Sequence, residues 1–438
     1  MKKRKIILLE EKGIFTPEGV AKLQALYSRS AHSVLRQIKR ILNDKDFAKF
    51  MAQYYVKYGH GSIGDCGSFT FFIENVSLLV AKAIQDSQLY SGQETSTRYI
   101  NMLKQPIVDP IGSAVSKKIL ANWMKFYAEA EKPLIAYLKK QYPRTPGQKM
   151  KTYNNAIKAR GFDIRRGFLP AGICTQLSWH TSLRQAAERI ALLNYHPLAE
   201  VREVAAEMHK QLRKKYPSSF SHKLYPDQER FREETMAQYS YYHDPKSPSF
   251  SFKNGVDMTE LKKYLKTFAA RPKKTNLPVF LAELGNIISR FLLDFGSARD
   301  AQRHRNGIFR MPLLTADIGF HEWYLNALPP ELKSKAEDLL VEQYILLEKL
   351  EATPEEKQYY ISLGFLVSCK TTYSLPQTLY VTELRSDKTV HETYRAVMHK
   401  MAKEVQKHFP GIALHADMDK NAWDIRRGTQ TIDKRKAA

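Results

Sequence analysis

Cysteine is scarce in this chain: Cys66, Cys174 and Cys369 are the three present in 438 residues, an odd number at unrelated spacings. Neither a disulfide framework nor a metal site is suggested by them, and a reducing compartment fits best. Long apolar runs are missing as well. The Ile6-Ile7-Leu8-Leu9 run is stopped at once by Glu10 and Glu11, too short for a signal-peptide core, and no uninterrupted run approaches the ~20 apolar residues of a membrane span. A cytoplasmic protein without a membrane partner is expected. Acidic residues are the third deficit, with 45 Asp and Glu against 69 Lys and Arg, a net charge of +24. Such an excess points to anionic partners, either phosphorylated small molecules or nucleic acid.

Hydrophobic residues make up 43% and charged residues 26%, the profile of a globular protein long enough for two cores. The stretch from Gln238 to Gly255, rich in Tyr, Ser and Pro, lacks periodicity and reads as a linker. It separates a domain of residues 1–237 from one of residues 256–438, with the linker at 238–255. Helical spacing predicts apolar helices over Phe69 to Gln88 and Val279 to Phe295, and one long amphipathic helix from Ser113 to Tyr142. The alternating Leu379-Tyr380-Val381-Thr382 reads as a strand.

Two polar clusters follow the apolar segments. The first is Ser91-Gly92-Gln93-Glu94-Thr95-Ser96-Thr97-Arg98-Tyr99, which groups hydroxyls, a carboxylate and an arginine. The second is Arg303-His304-Arg305. Aligning Asp86 with Arg303 gives an offset of 303 − 86 = 217, close to half the chain, which suggests two diverged copies of one α+β unit. Read blandly, the first cluster is a polar helix end that caps backbone groups and the second a solvated basic turn.

Together the clusters resemble the signature of the flavin-dependent thymidylate synthase (ThyX) family, Arg-His-Arg-x-x-Ser-x-Asn-Glu-x-Ser-x-Arg-Tyr. Its latter part is matched by Ser91, Glu94, Ser96, Arg98 and Tyr99, with Gln93 in place of Asn, while Asp86, Ser87 and Gln88 occupy the basic triplet. In the second copy the triplet is intact as Arg303, His304 and Arg305, and the later positions hold Met311, Leu313 and Thr315. His60, Ser62, Phe69 and Phe71 match an upstream element, although Cys66 stands where the family has a second His. Arg166, Leu169 and Pro170 match Arg-x-x-Leu-Pro, and Leu384-Arg385 matches a Leu-Arg near the C-terminus.

The resemblance implies an α+β fold of two tandem helix-rich ThyX-like domains, each with a small, mainly antiparallel sheet. It implies reductive methylation of dUMP to dTMP, with FAD as cofactor and NADPH and methylenetetrahydrofolate as co-substrates. Ser96, Arg98, Arg166 and Arg385 would bind dUMP, and Arg385 and Glu94 would serve catalysis. Arg303, His304, Arg305, Ser91, Gln93, His60 and Ser62 would bind FAD. A composite site shared by the two halves would follow from their complementary losses, and a homodimer would form a pseudo-tetramer of such domains. No metal is implied. The alternative is a non-catalytic relative that binds a nucleotide or nucleic acid.

Overall fold

The computed structural model describes residues 3–9, 15–43, 46–97, 100–240 and 247–420. The chain divides into two compact units, one of Met1–Thr95, Gln105–Val108 and Ile173–Tyr241, the other of Ser96–Lys104, Asp109–Gly172 and Tyr242–Ala438. Both are α+β with a small antiparallel sheet.

This division corrects the expected boundaries twice. Helices Ala114–Glu129, Glu131–Gln141 and Met150–Arg165, read as part of the first domain, lie in the second unit. The expected linker also contains the end of helix Pro226–Ser240 and the strand β4, Phe250–Asn254. Its Tyr-, Ser- and Pro-rich composition conceals a strand of only five residues.

In the first unit the sheet order is β1 (Lys5–Leu8), β2 (Ser68–Ser77), β3 (Cys174–Ser182). Phe69, Phe71 and Ile73 alternate inward and are essentially inaccessible, whereas Phe72 between them is 44% exposed. That period of two belongs to a strand, so the expected helix from Phe69 begins only at Leu78 and runs to Gln85. Ser77 caps it by accepting the Val80 N–H, and its own hydroxyl donates to the buried Glu200 at 2.6 Å.

The second unit has four strands in the order β4, β5 (Asn286–Asp294), β7 (Leu366–Ser374), β6 (Ile308–Arg310). Again a strand replaces most of an expected helix: Val279–Leu284 is a 3-10 turn and the apolar run continues as β5. The expected strand at Leu379 to Thr382 lies inside helix Leu375–Ser386, where the Thr382 hydroxyl donates to the Thr378 carbonyl one turn back. The long helix expected from Ser113 breaks at Ala130 into two.

The same strand-to-helix order occurs in both units. Ser77 and Asp294 cap the helices that follow β2 and β5, and Asp86 and Arg303 close them. Both pairs differ by 217 (294 − 77 and 303 − 86). Ser182 and Ser374 likewise cap the helices after β3 and β7. Within the second unit, residues 167–172 and 359–364 pair about a bridge between Pro170 and Ser362. Ala171 N–H donates to the Ile361 carbonyl and Leu363 N–H to the Leu169 carbonyl, both at 2.8 Å. The two bonds are images of one another, since 363 − 171 and 361 − 169 both equal 192.

Candidate functional site

In the second unit, helix Phe295–Gln302 ends at Arg303, which places the basic triplet in the connection to β6. Arg385 comes from the last turn of helix Leu375–Ser386. Its Nε–H donates to His304 Nε2 at 2.6 Å, joining two motif fragments 81 residues apart. Because that nitrogen accepts, the ring proton sits on Nδ1. His304 is 7% exposed, and burial, reinforced by the charge of Arg385, pushes its pKa down to about 3. It is therefore a neutral acceptor at ordinary pH. The Arg385 guanidinium also lies over the Tyr394 ring, 5.8 Å from its centroid, and among the described residues its two terminal nitrogens have no partner.

Cations crowd this place. Arg303 is exposed and pairs with Asp300 at 3.3 Å; Arg305 is half-buried beside it in the chain. Arg299, one turn before Arg303, has its pKa drawn down to about 9 by burial and by the charge of Arg303. Tyr380 packs edge-on against His304, with centroids 6.3 Å apart. The donor set suits a phosphate or another anionic group, with the planar fork of Arg385 foremost. Sequence reasoning missed Arg299 and Tyr394. Arg299 had a signal, since four residues separate it from Arg303 on one helical face.

In the first unit the stretch Ser91 to Thr95 lies along the free edge of β3. Ser91 exchanges backbone hydrogen bonds with His180 at 2.8 and 2.7 Å, Thr95 N–H donates to Gln176, and Glu94 bridges Leu177. Gln93 N–H donates to the Ser178 hydroxyl at 3.0 Å. Gly92 is required here, because a Cβ would stand 2.1 Å from the Ser178 carbonyl oxygen. Ser91 and Gln93 are exposed and Glu94 is half-buried. His60 is exposed at the start of the short helix Gly61–Asp65, with its ring 6.2 Å from that of Tyr58; Ser62 is exposed one residue inside that helix. Asp65, at the end of that helix, pairs with Arg184 at 2.5 Å and accepts from Ser182 at 3.0 Å. At the position of the missing triplet, Asp86 accepts from Tyr239 at 2.8 Å and pairs with Lys82 at 3.5 Å.

Ser96 is half-buried and belongs to the second unit. Arg98 lies outside the described residues. Arg166 departs from the expectation of an open phosphate ligand. It is 7% exposed, donates to the Ser297 hydroxyl at 2.8 Å and lies 3.9 Å from the inaccessible carboxylate of Asp294. Its charge is already countered inside the protein. Burial raises the Cys66 thiol, with Asp65 adding to it, and takes Cys174 to about 12. Among the described residues, no helix is long and apolar enough to cross a membrane, and no group of His, Cys, Asp and Glu could hold a metal ion.

The α+β chain thus carries a guanidinium-rich cluster on two strand-to-helix junctions of its second unit. Residues 16–218 match the family described as thymidylate synthase complementing protein, Thy1. The first half of the chain is thus similar to the ThyX family. It is also similar to UPF0159 proteins: 26% identical over 419 residues to that of Chlamydia pneumoniae, covering 83% of this chain and 79% of the relative. The Chlamydia muridarum protein is 24% identical over 420 residues, with the same coverages. The Thermoplasma acidophilum protein is 21% identical over 465 residues, covering 89% and 93%.

Proposed function

We propose that the protein is a flavin-dependent thymidylate synthase that converts dUMP to dTMP with methylenetetrahydrofolate and NADPH, and that its two units descend from one duplicated ThyX-like ancestor. The observation that carries this reading is the 2.6 Å contact between Arg385 and His304, which unites the Leu-Arg element with the basic triplet. The matching caps at an offset of 217 support the duplication. Two chains would supply four ThyX-like units.

His304, neutral and buried, fixes Arg385 through Nε and leaves the Nη pair to meet the carbonyl edge of the pyrimidine. A guanidinium held there stabilises negative charge as it develops on the ring. Ser96 and Arg98 would hold the phosphate of dUMP, and Glu94 would orient the substrate. FAD, when bound and reduced by NADPH, would supply the hydride. Arg303 and Arg305 would meet its anionic portion, and Ser91, Gln93, His60 and Ser62 are the further flavin ligands that the resemblance implies. Arg166, engaged by Asp294, is left out of this scheme.

A non-catalytic nucleotide- or nucleic-acid-binding relative is the second reading, favoured by Asp86 standing tied to Tyr239 and Lys82 where the triplet would be. Reconstitution with FAD separates the two. Bound flavin whose spectrum shifts on adding dUMP supports the enzyme; protein that takes up no FAD contradicts it.

A further inference from the structure

The sheet of the second unit carries charges that its folding does not call for. Arg290 on β5 stands directly opposite Lys370 on β7, and Lys370 directly opposite Arg310 on β6. Residues paired in this way share one face of the sheet with Cβ atoms about 4.5–5.5 Å apart, and like charges there are destabilising. The row ends on β4 at Ser251, opposite Arg290, so it contains no carboxylate. Lys253, two residues along β4 on the same face, adds a fourth cation. All three cations of the row are half-buried. The Nε of Arg290 is buried without a hydrogen-bond partner, and neither Arg290 nor Lys370 has a hydrogen bond or ion pair among the described residues.

The first unit provides the control. Phe72 pairs with Ser178 on β3, and Gln93 pairs with the same Ser178 on the other side, giving an uncharged row at the like position of that sheet. A sheet of this design therefore forms without cations there.

We propose that Arg290, Lys370 and Arg310 form a binding site for linked phosphates, the diphosphate or triphosphate of a nucleotide-type ligand. Three adjacent strands span roughly 10 Å, the reach of two or three linked phosphates and more than a single phosphate covers. Guanidinium groups at both ends give bidentate contacts, with the lysine as a point charge between them. The proposal needs neither dUMP nor flavin and is independent of the reaction proposed above.

The test is calorimetric titration of the full chain with inorganic tripolyphosphate and with orthophosphate, together with melting curves of ligand-free protein. The expected result is tighter binding of tripolyphosphate than of orthophosphate. Lys370→Gln should weaken tripolyphosphate about tenfold, the loss of a charged contact. The same variant, relieved of repulsion from both neighbours, should melt about 1–3 °C higher without ligand. Arg290→Gln repeats both measurements from the adjacent strand should the first variant not fold. Unchanged affinity in the variants, or variants less stable than the parent, would overturn the proposal. So would a parent that binds a single-stranded oligonucleotide through Lys370 but not tripolyphosphate, which would make the row a nucleic-acid surface.

Discussion

Replacing Asp294 by Asn removes one charge from a place that no water reaches. The Asp294 side chain is inaccessible; its Oδ1 accepts from the Ser297 N–H at 2.9 Å and the Tyr324 hydroxyl at 2.8 Å, and its Oδ2 from the Thr393 hydroxyl at 2.5 Å. An asparagine keeps Oδ1 as an acceptor, and the Thr393 hydroxyl can turn to accept from the new amide. What disappears is the counter-charge to Arg166, which is itself buried and donates to the Ser297 hydroxyl. Breaking a buried pair by removing one partner costs about 3–5 kcal/mol. For a domain of this size that lowers the melting temperature by roughly 6–20 °C. Removing both charges, as Arg166→Met with Asp294→Asn, should recover most of the loss. The assay is thermal and urea unfolding of the four proteins of the cycle. Asp294→Asn within about 1 kcal/mol of the parent, or additive effects in the double variant, would show that Arg166 does not depend on this carboxylate.

The same network sets an acid limit. Burial alone would raise the Asp294 carboxyl, but His391, Arg166 and the neighbouring donors outweigh it and hold the carboxyl below the usual range. Burial takes His391 itself to about 3, so Arg166 is the standing cation at ordinary pH. A depressed carboxyl gives stability that is fully present above its unfolded value of about 3.9 and is lost as pH falls below it. Unfolding followed against pH should therefore show this contribution vanishing below about pH 4, and Asp294→Asn should flatten that part of the profile.

Two further expectations concern the site. Arg385→Ala should lower kcat by about 10²–10³, and Arg385→Lys should not restore it, because lysine has no planar fork; steady-state kinetics decide this. Gly92→Ala should displace the Ser91 to Thr95 edge from β3 at a cost of about 1–3 kcal/mol, and slow exchange of the Thr95 amide, present in the parent, should be lost.

Much of the site was legible because its residues are short strings after apolar segments. Arg303 to Arg305 and Leu384-Arg385 could be read as fragments of one motif, and the structure brings His304 and Arg385 into contact. The offset of 217 was likewise readable, and it recurs in the capping residues of two helices. Strands were not legible where a run such as Asn286 to Asp294 is apolar at both periods; register across the sheet decides, and register is not local. The discontinuity of the second unit was hidden for the same reason, since residues 109–172 join partners far along the chain. Arg166 shows the limit most plainly. It looks like a phosphate ligand in its own string, and the carboxylate that occupies it stands 128 residues away at Asp294 (294 − 166).

Thymidylate synthesis is tested by incubating the FAD-loaded protein with dUMP, methylenetetrahydrofolate and NADPH, and measuring dTMP by mass spectrometry. The expected result is dTMP formed in step with dUMP-dependent oxidation of NADPH, and lost in Arg98→Ala and in Arg303→Ala alike. Flavin-loaded protein that binds dUMP yet forms no dTMP, or an Arg303→Ala variant with full turnover, would contradict it.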